Sequence, residues 1–384
     1  MITMYWRELI ARVGQPLFAL ILLVLFMPIV STAPSAGYIS RIPSLVSFFV
    51  SIISSIGLYI ALEKMPRNRL RRLVVTTWFV FIALAFLEGL GLKPAFDTVR
   101  DMLYAASGRG VYEAADRDIA LYGRIRSTVF ASEPSFLANT LSVLMFMAYV
   151  LHPQPKSWRA FLQYLAMATV SYLLAASFTY GFFLIALLIW SFWPKNVREL
   201  ATLLLTSLLA IGAAFLLRDE LTYIFLDVSG NHMATGSFFG RILVAPQAAF
   251  ETLMIYPLVG VGIGNGEAAR PFIVQIWSDS GAFALFPWFN NPMMRAQDLM
   301  SSGFWWQWMY LGIAGGVVFN LALFWALRRL RVMYPLRSIV CCWIIWYPGA
   351  AFVDVGSWVI LTIVSLSSTG YVPRKSKIAG HIVD

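Results

Sequence analysis

The sequence predicts an all-α, polytopic integral membrane protein of about ten transmembrane helices, with one large loop late in the chain. Three observations predict it. Of 384 residues, 59% are hydrophobic and 12% charged, and mean hydropathy is +0.73, whereas a soluble domain carries about 25% charged residues. Apolar stretches recur that reach or approach the ~20 residues needed to cross hydrocarbon. Basic residues fall in short clusters at 64–72, 156–159, 195–198, 328–337 and 374–377. With the N-terminus cytoplasmic, every one of those clusters lies on the cytoplasmic face and both long loops lie on the other.

Taken in order, the first helix is the apolar run from Leu17 to Val30, behind Arg7 and Arg12. The same pattern followed by STAPSAG can be read as a cleavable signal peptide, but the crossings that follow favour a first helix. A second helix over 42–62 empties into EKMPRNRLRR, the strongest orientation mark in the chain. A third covers 73–90, and residues 92–133 form a first outer loop with six basic and six acidic residues. A fourth starts at Pro134 and ends at Val150. The fifth and sixth, 160–175 and 178–193, meet at the uncharged turn SFTYG, and a seventh ends near Leu217. The large loop, 218–302, has four basic and seven acidic residues. The eighth helix covers 303–327, and two more share the apolar remainder to Ser368. Both termini are expected in the cytoplasm, and the whole of 1–384 reads as a single membrane domain.

Several function classes are disfavoured. Cys341 and Cys342 are adjacent in an apolar run, so neither a disulfide nor a zinc site is expected. The chain has no GxxxxGK[ST] motif, and GVGIGNG misses the GxGxxG register. The net charge of +10 follows from orientation and does not call for nucleic acid. A transporter would carry broken helices or midplane charges, and no expected helix shows a clear break.

Chemistry therefore falls to the outer loops. The stretch from Gly240 to Asn265 opens with Arg241, continues as about four turns of amphipathic helix and ends in GVGIGN after Pro257. The surrounding loop is rich in aromatics, among them Phe250, Trp277, Phe286 and Trp288, so it is expected to fold over the membrane face in contact with lipid. Arg241, Arg270 and Arg295 are spaced through this apolar setting, where each guanidinium needs an anionic partner. An acidic residue of the same loop is one candidate; a phosphate or diphosphate is the other. In the first loop, YGRIRSTVFASEPSFLA supplies Arg124, Arg126 and Glu133. Glu133 reads either as a helix-start anion paired with Arg126 or as a base for a sugar hydroxyl. His152 and His381 fall on the cytoplasmic side, and His232 is a lone loop histidine. Trp305, Trp306 and Trp308 fit an interfacial aromatic belt.

Arg126 to Ala138, with EPSxxA entering a helix, then GR, an amphipathic helix, a proline and GVGIGN, then a helix with GIAGG, is similar to the bacterial Wzy-type polysaccharide polymerases and the related O-antigen ligases. The resemblance covers roughly residues 120–330 in order and spacing. It implies an inverting, metal-independent membrane glycosyltransferase without a cofactor, in the bacterial inner membrane. Its donor would be an oligosaccharide on undecaprenyl diphosphate and its acceptor a sugar hydroxyl of a second lipid-linked repeat unit. Its partners would be membrane lipids, a flippase and chain-length regulator proteins, and no nucleic acid. By motif, Arg126 and Arg241 correspond to diphosphate-binding arginines and Glu133 to the acidic residue. Arg124, Arg270 and Arg295 stand as further diphosphate-binding arginines, Asp298 and Glu267 as other acidic candidates, and Asn265 as a substrate-binding residue of the glycine-rich loop. The His-Asn pair frequent in ligases is replaced by Ser301 and Ser302, which favours the polymerase branch.

Overall fold

The computed structural model describes residues 2–33, 38–105, 118–119, 122–194, 196, 198–199, 201–202, 205, 239–349 and 352–366. Among these, 78% are helical and none forms a strand. The helices are α1 (Ile2–Val30), α2 (Tyr38–Glu63), α3 (Arg67–Leu87), α4 (Lys93–Ala105), α5 (Pro134–Val150), α6 (Trp158–Leu174), α7 (Thr179–Ser191), α8 (Ala245–Ile255), α9 (Arg270–Asp279), α10 (Gly303–Arg329), α11 (Pro335–Trp346) and α12 (Val355–Leu366), with single short turns in the late loop. Most of the seventh expected helix, His232 and the basic tail lie outside the described residues.

Among the described residues, four helical stretches are long and apolar enough to cross a membrane: Arg7–Phe26, Arg41–Glu63, Arg67–Tyr104 and Gly303–Arg329. Four shorter apolar helices, α5, α7, α11 and α12, pack among them. Large apolar side chains such as Phe18, Phe79 and Leu321 stand on the outside of the bundle, as in a protein whose solvent is lipid.

Packing follows small residues and aromatics. Ser47, Ser51 and Ser55 recur every four residues along α2, which brings them onto one face. That face meets the segment before and along α12: Ser51 Oγ donates to Val353 O at 2.9 Å, and Ser55 Oγ lies 2.5 Å from Thr362 Oγ1. Close approach through small hydroxyl residues is the usual solution for helices in lipid. Beside it Phe48, Phe319, Phe352, Trp346 and Trp358 interlock in edge-to-face and tilted pairs, with ring centres 5.2 to 6.1 Å apart.

The described residues of the basic clusters gather at one end. Arg67 donates to the last carbonyl of α5, Val150 O, and Arg71 to Gln163 Oε1 at 2.7 Å. Arg12 holds Glu8 and Glu63, each at 2.6 Å, and Lys64 joins Glu8 at 2.5 Å. Arg329 reaches Gln15 at 2.9 Å. This is the basic end of the bundle; the long connections occupy the other, here called the loop end.

Two expectations are corrected. The polar segment after residue 92 does not leave as a loop: α3 runs through a wide turn at Glu88–Leu92, bends at Gly91 (φ +111°) and continues as α4. Phe96 and Arg100 face inward on α4 while Val99, Met102 and Leu103 face out, so its polar residues are paid for by one buried face. The second correction concerns α10, which is broken at Gly312 (φ +67°, ψ −175°).

Candidate anion site at the loop end

The break in α10 is made by the glycine-rich loop. In an intact helix the carbonyls of Met309 and Tyr310 would accept from residues 313 and 314. Here they accept from Val261 N at 2.8 Å and Gly262 N at 3.0 Å, while Ile313 N and Gly315 N donate to Pro257 O (2.7 Å) and Leu258 O (3.0 Å). Residues 257–262 are thus spliced into the helix, and four backbone groups that the break frees find partners. The backbones come so close that a Cβ on Gly312 would sit 2.5 Å from Gly260 N, and one on Gly260 would overlap Met309 O. Ser31, just past α1, donates to Gly260 O at 2.9 Å, and Asn265 ties the loop to itself through Val261 O at 3.0 Å. The loop expected to bind substrate is, in its backbone, a structural splice.

That splice positions the segment before it. Residues 240–244 form a wide helical turn leading into α8, and Pro246 lacks the N–H that would return to Ile242 O. The Tyr347 hydroxyl donates there at 3.4 Å. Gly240 lies against Leu299 O and the indole of Trp277. Together these fix Arg241 at the start of the four-turn helix, partly exposed, with its Nε buried and without a hydrogen-bond partner among the described residues. Burial pushes the Arg241 guanidinium down from its ordinary value, and the Glu133 carboxylate opposes that shift. Glu133 is thus close enough to act on the Arg241 charge but lies beyond direct ion-pair distance of it.

Glu133 comes from the other loop. It precedes α5 in an extended conformation (φ −143°, ψ 153°) with Pro134 as first helical residue, and it makes no backbone cap. The Ser135 hydroxyl donates to its carboxylate at 3.0 Å. The expected pairing of Glu133 with Arg126 does not occur. Arg126 is 7% exposed and is held by Asp118 at 2.9 Å, by Ala176 O at 2.9 Å and by the Tyr122 ring at 4.7 Å. It is a buried clamp between the first loop and the turn after α6. Its neighbours are fixed by Glu88, which accepts from Thr128 N at 3.0 Å and Val129 N at 2.7 Å.

The remaining expected residues separate by partner. Arg295 pairs with Asp298 at 3.0 Å on the surface, and the Asp298 hydrogen bond raises the guanidinium. Arg270 donates to Pro292 O at 2.6 Å and lies 3.7 Å from Glu267, which itself accepts from Ala296 N at 3.0 Å. Arg124 is exposed. Of the three late-loop arginines among the described residues, two therefore meet an acidic residue of that loop, and Arg241 meets none of the described ones. Among the described residues no group of three or more His, Cys, Asp or Glu side chains is placed to hold a metal ion.

Sequence reasoning missed Arg41. It begins the apolar part of α2, is 2% exposed, and presses its guanidinium against Gly262, where a Cβ would lie 2.8 Å from Nη1. A single arginine ahead of an apolar run looks like a boundary residue; the signal was its distance from every other basic cluster. Asp118 was missed because its pairing with Arg126 depends on how the first loop folds back. Comparison of the chain with protein-family models, curated proteins and solved structures returned no match.

Proposed function

We propose that the chain is a membrane glycosyltransferase of the polysaccharide-polymerase kind, working at the periplasmic face of the bacterial inner membrane with its basic end in the cytoplasm. It moves a glycan from undecaprenyl diphosphate to a sugar hydroxyl of a second lipid-linked repeat unit, and needs no metal. The observation that carries the reading is Arg241: a guanidinium without an ion-pair partner among the described residues, within electrostatic reach of Glu133 on a separate loop. A diphosphate fits the guanidinium, whose planar fork matches phosphoryl oxygens.

The reaction follows from that placement. The acceptor oxygen attacks the anomeric carbon on the face opposite the diphosphate, the carbon–oxygen bond to the diphosphate breaks, and its electron pair leaves with the lipid. Arg241 binds that leaving group more tightly as its charge grows, which lowers the barrier. Glu133 takes the proton from the acceptor hydroxyl. Arg126 acts as a positioning residue, holding the first loop so that Glu133 meets Arg241. Arg124, Arg270, Arg295, Glu267 and Asp298 rim the approach, and Asn265 supports the loop beneath. Membrane lipids, a flippase and a chain-length regulator are the expected partners.

A second reading, a transporter of lipid-linked sugars, gains from the break in α10, since transporters build their sites on interrupted helices. Deleting the gene and sizing the glycan separates them. Single repeat units mean polymerase, long unattached chains mean ligase, and lipid-linked units trapped in the cytoplasm mean transporter. Complementing the deletion with Glu133→Gln or Arg241→Lys should leave single units with normal protein levels. Wild-type chains from both variants would refute the site.

A further inference from the structure

Gln307 lies in the first half of α10, on the stripe that also carries Gly303, Trp306 and Tyr310, and it is fully buried. Both its amide nitrogen and its amide oxygen lack a hydrogen-bond partner among the described residues. Ser302, the residue before α10, is also fully buried. A serine there ordinarily caps the helix, yet this one makes no cap, and its hydroxyl has no partner among the described residues. Buried polar groups are satisfied in the great majority of native proteins, so two on adjoining turns call for an occupant.

Their position ties them to Arg241. Gly240 is in contact with Leu299 O, and Trp306 Nε1 donates to Met300 O at 2.7 Å. Ser302 is three residues from Leu299, a chain span of about 10 Å at most. Trp277, against Gly240, has an unpartnered indole N–H as well.

We propose that Ser302 and Gln307 form a saccharide-binding subsite beside Arg241, taking the sugar ring next to the diphosphate. The proposal rests on the reading of Arg241 given above and names what lies beyond the phosphates. The chemistry of the orphaned atoms selects the ligand class. A primary amide presents donors and acceptors together, and a hydroxyl does the same. Phosphate oxygens accept only and would leave Gln307 Oε1 unmatched; an acyl or prenyl chain offers neither. Sugar hydroxyls both donate and accept, and Trp306 and Tyr310, stacked with ring centres 5.0 Å apart on the same stripe, supply aromatic surface of the kind that packs on pyranose faces.

The test uses the purified full chain in lipid nanodiscs. Saturation-transfer NMR would follow a panel of methyl glycosides and, separately, inorganic pyrophosphate. Wild type should bind at least one glycoside. Gln307→Leu should weaken that binding about tenfold while pyrophosphate binding is unchanged, and its melting temperature should hold or rise, because an orphaned amide is replaced by an apolar group of similar size. Ser302→Ala should weaken binding in the same direction, less. Three results would overturn the proposal: wild type binding no glycoside, Gln307→Leu binding as wild type does, or Gln307→Leu losing stability, which would mean that structural water satisfies the amide. Failure of pyrophosphate to bind wild type would instead count against the reading of Arg241, so the two failures are distinguishable.

Discussion

The two ends of the bundle use arginine in opposite ways. At the basic end guanidinium groups close the protein upon itself: Arg67 finishes α5, Arg71 holds Gln163, and Arg12 bridges Glu8 and Glu63. At the loop end the same side chain serves both purposes within a short distance. Arg126 is consumed by Asp118 and Ala176 O, Arg295 by Asp298, and Arg41 is pressed under the glycine loop. Among the described late-loop arginines, Arg241 is the one that meets no described acidic side chain within ion-pair distance. The lesson is that a guanidinium in an apolar loop is not by itself a ligand site; what matters is whether the fold has already supplied its anion.

The largest effect that would sharpen this comparison lies beneath both groups. Gly260→Ala or Gly312→Ala forces a Cβ into backbone atoms at the splice, and each should cost about 4 kcal/mol or more. Thermal unfolding of the purified protein checks this, with failure to accumulate as the extreme outcome. Next, Arg126→Ala takes from the buried Asp118 the guanidinium that pairs with it, a change worth about 3–5 kcal/mol, whereas Arg241→Ala should shift stability by no more than about 1 kcal/mol. Equal destabilisation by both would erase the distinction. Arg295→Ala, which opens an exposed pair with Asp298, should cost less than about 1 kcal/mol; a larger loss would mean that this pair is structural too.

The smallest effect belongs to the basic end. Burial, aided by the nearby Arg71 charge, lowers the His152 pKa, so the folded chain resists protonating it. Its contribution is complete above the ordinary histidine value near 6.5 and is lost as pH falls through the depressed folded value. Melting temperature should therefore fall on acidification below about pH 6.5, and His152→Gln should flatten that slope.

Much of the arrangement could be read before the fold was known, for physical reasons. The basic clusters at 64–72 and 328–337 lie at one end because alternating helices carry them there. The four turns after Arg241 form because their apolar spacing and Pro246 favour a helix start. Pro134 fixes the first turn behind Glu133. Other features depend on distant partners. Gly312 sits inside an unbroken apolar run, and the break exists only because residues 257–262 bring replacement donors and acceptors from elsewhere. The continuation of α3 into α4 was hidden by the polarity of its sequence, since Arg100 and Glu88 are buried against Thr128. The Arg126 to Asp118 pairing, and the lack of an ion-pair partner for Arg241 among the described residues, are likewise properties of the folded loops.

The central claim is that Arg241 is kept for an anion from outside the chain. The most direct measurement is the melting temperature of the purified wild type and Arg241→Gln with and without inorganic pyrophosphate. The account predicts similar unliganded stability for the two, with stabilisation of wild type alone, worth about 1.4 kcal/mol at ten times Kd. Equal stabilisation of Arg241→Gln by pyrophosphate, or collapse of that variant without ligand, would contradict it.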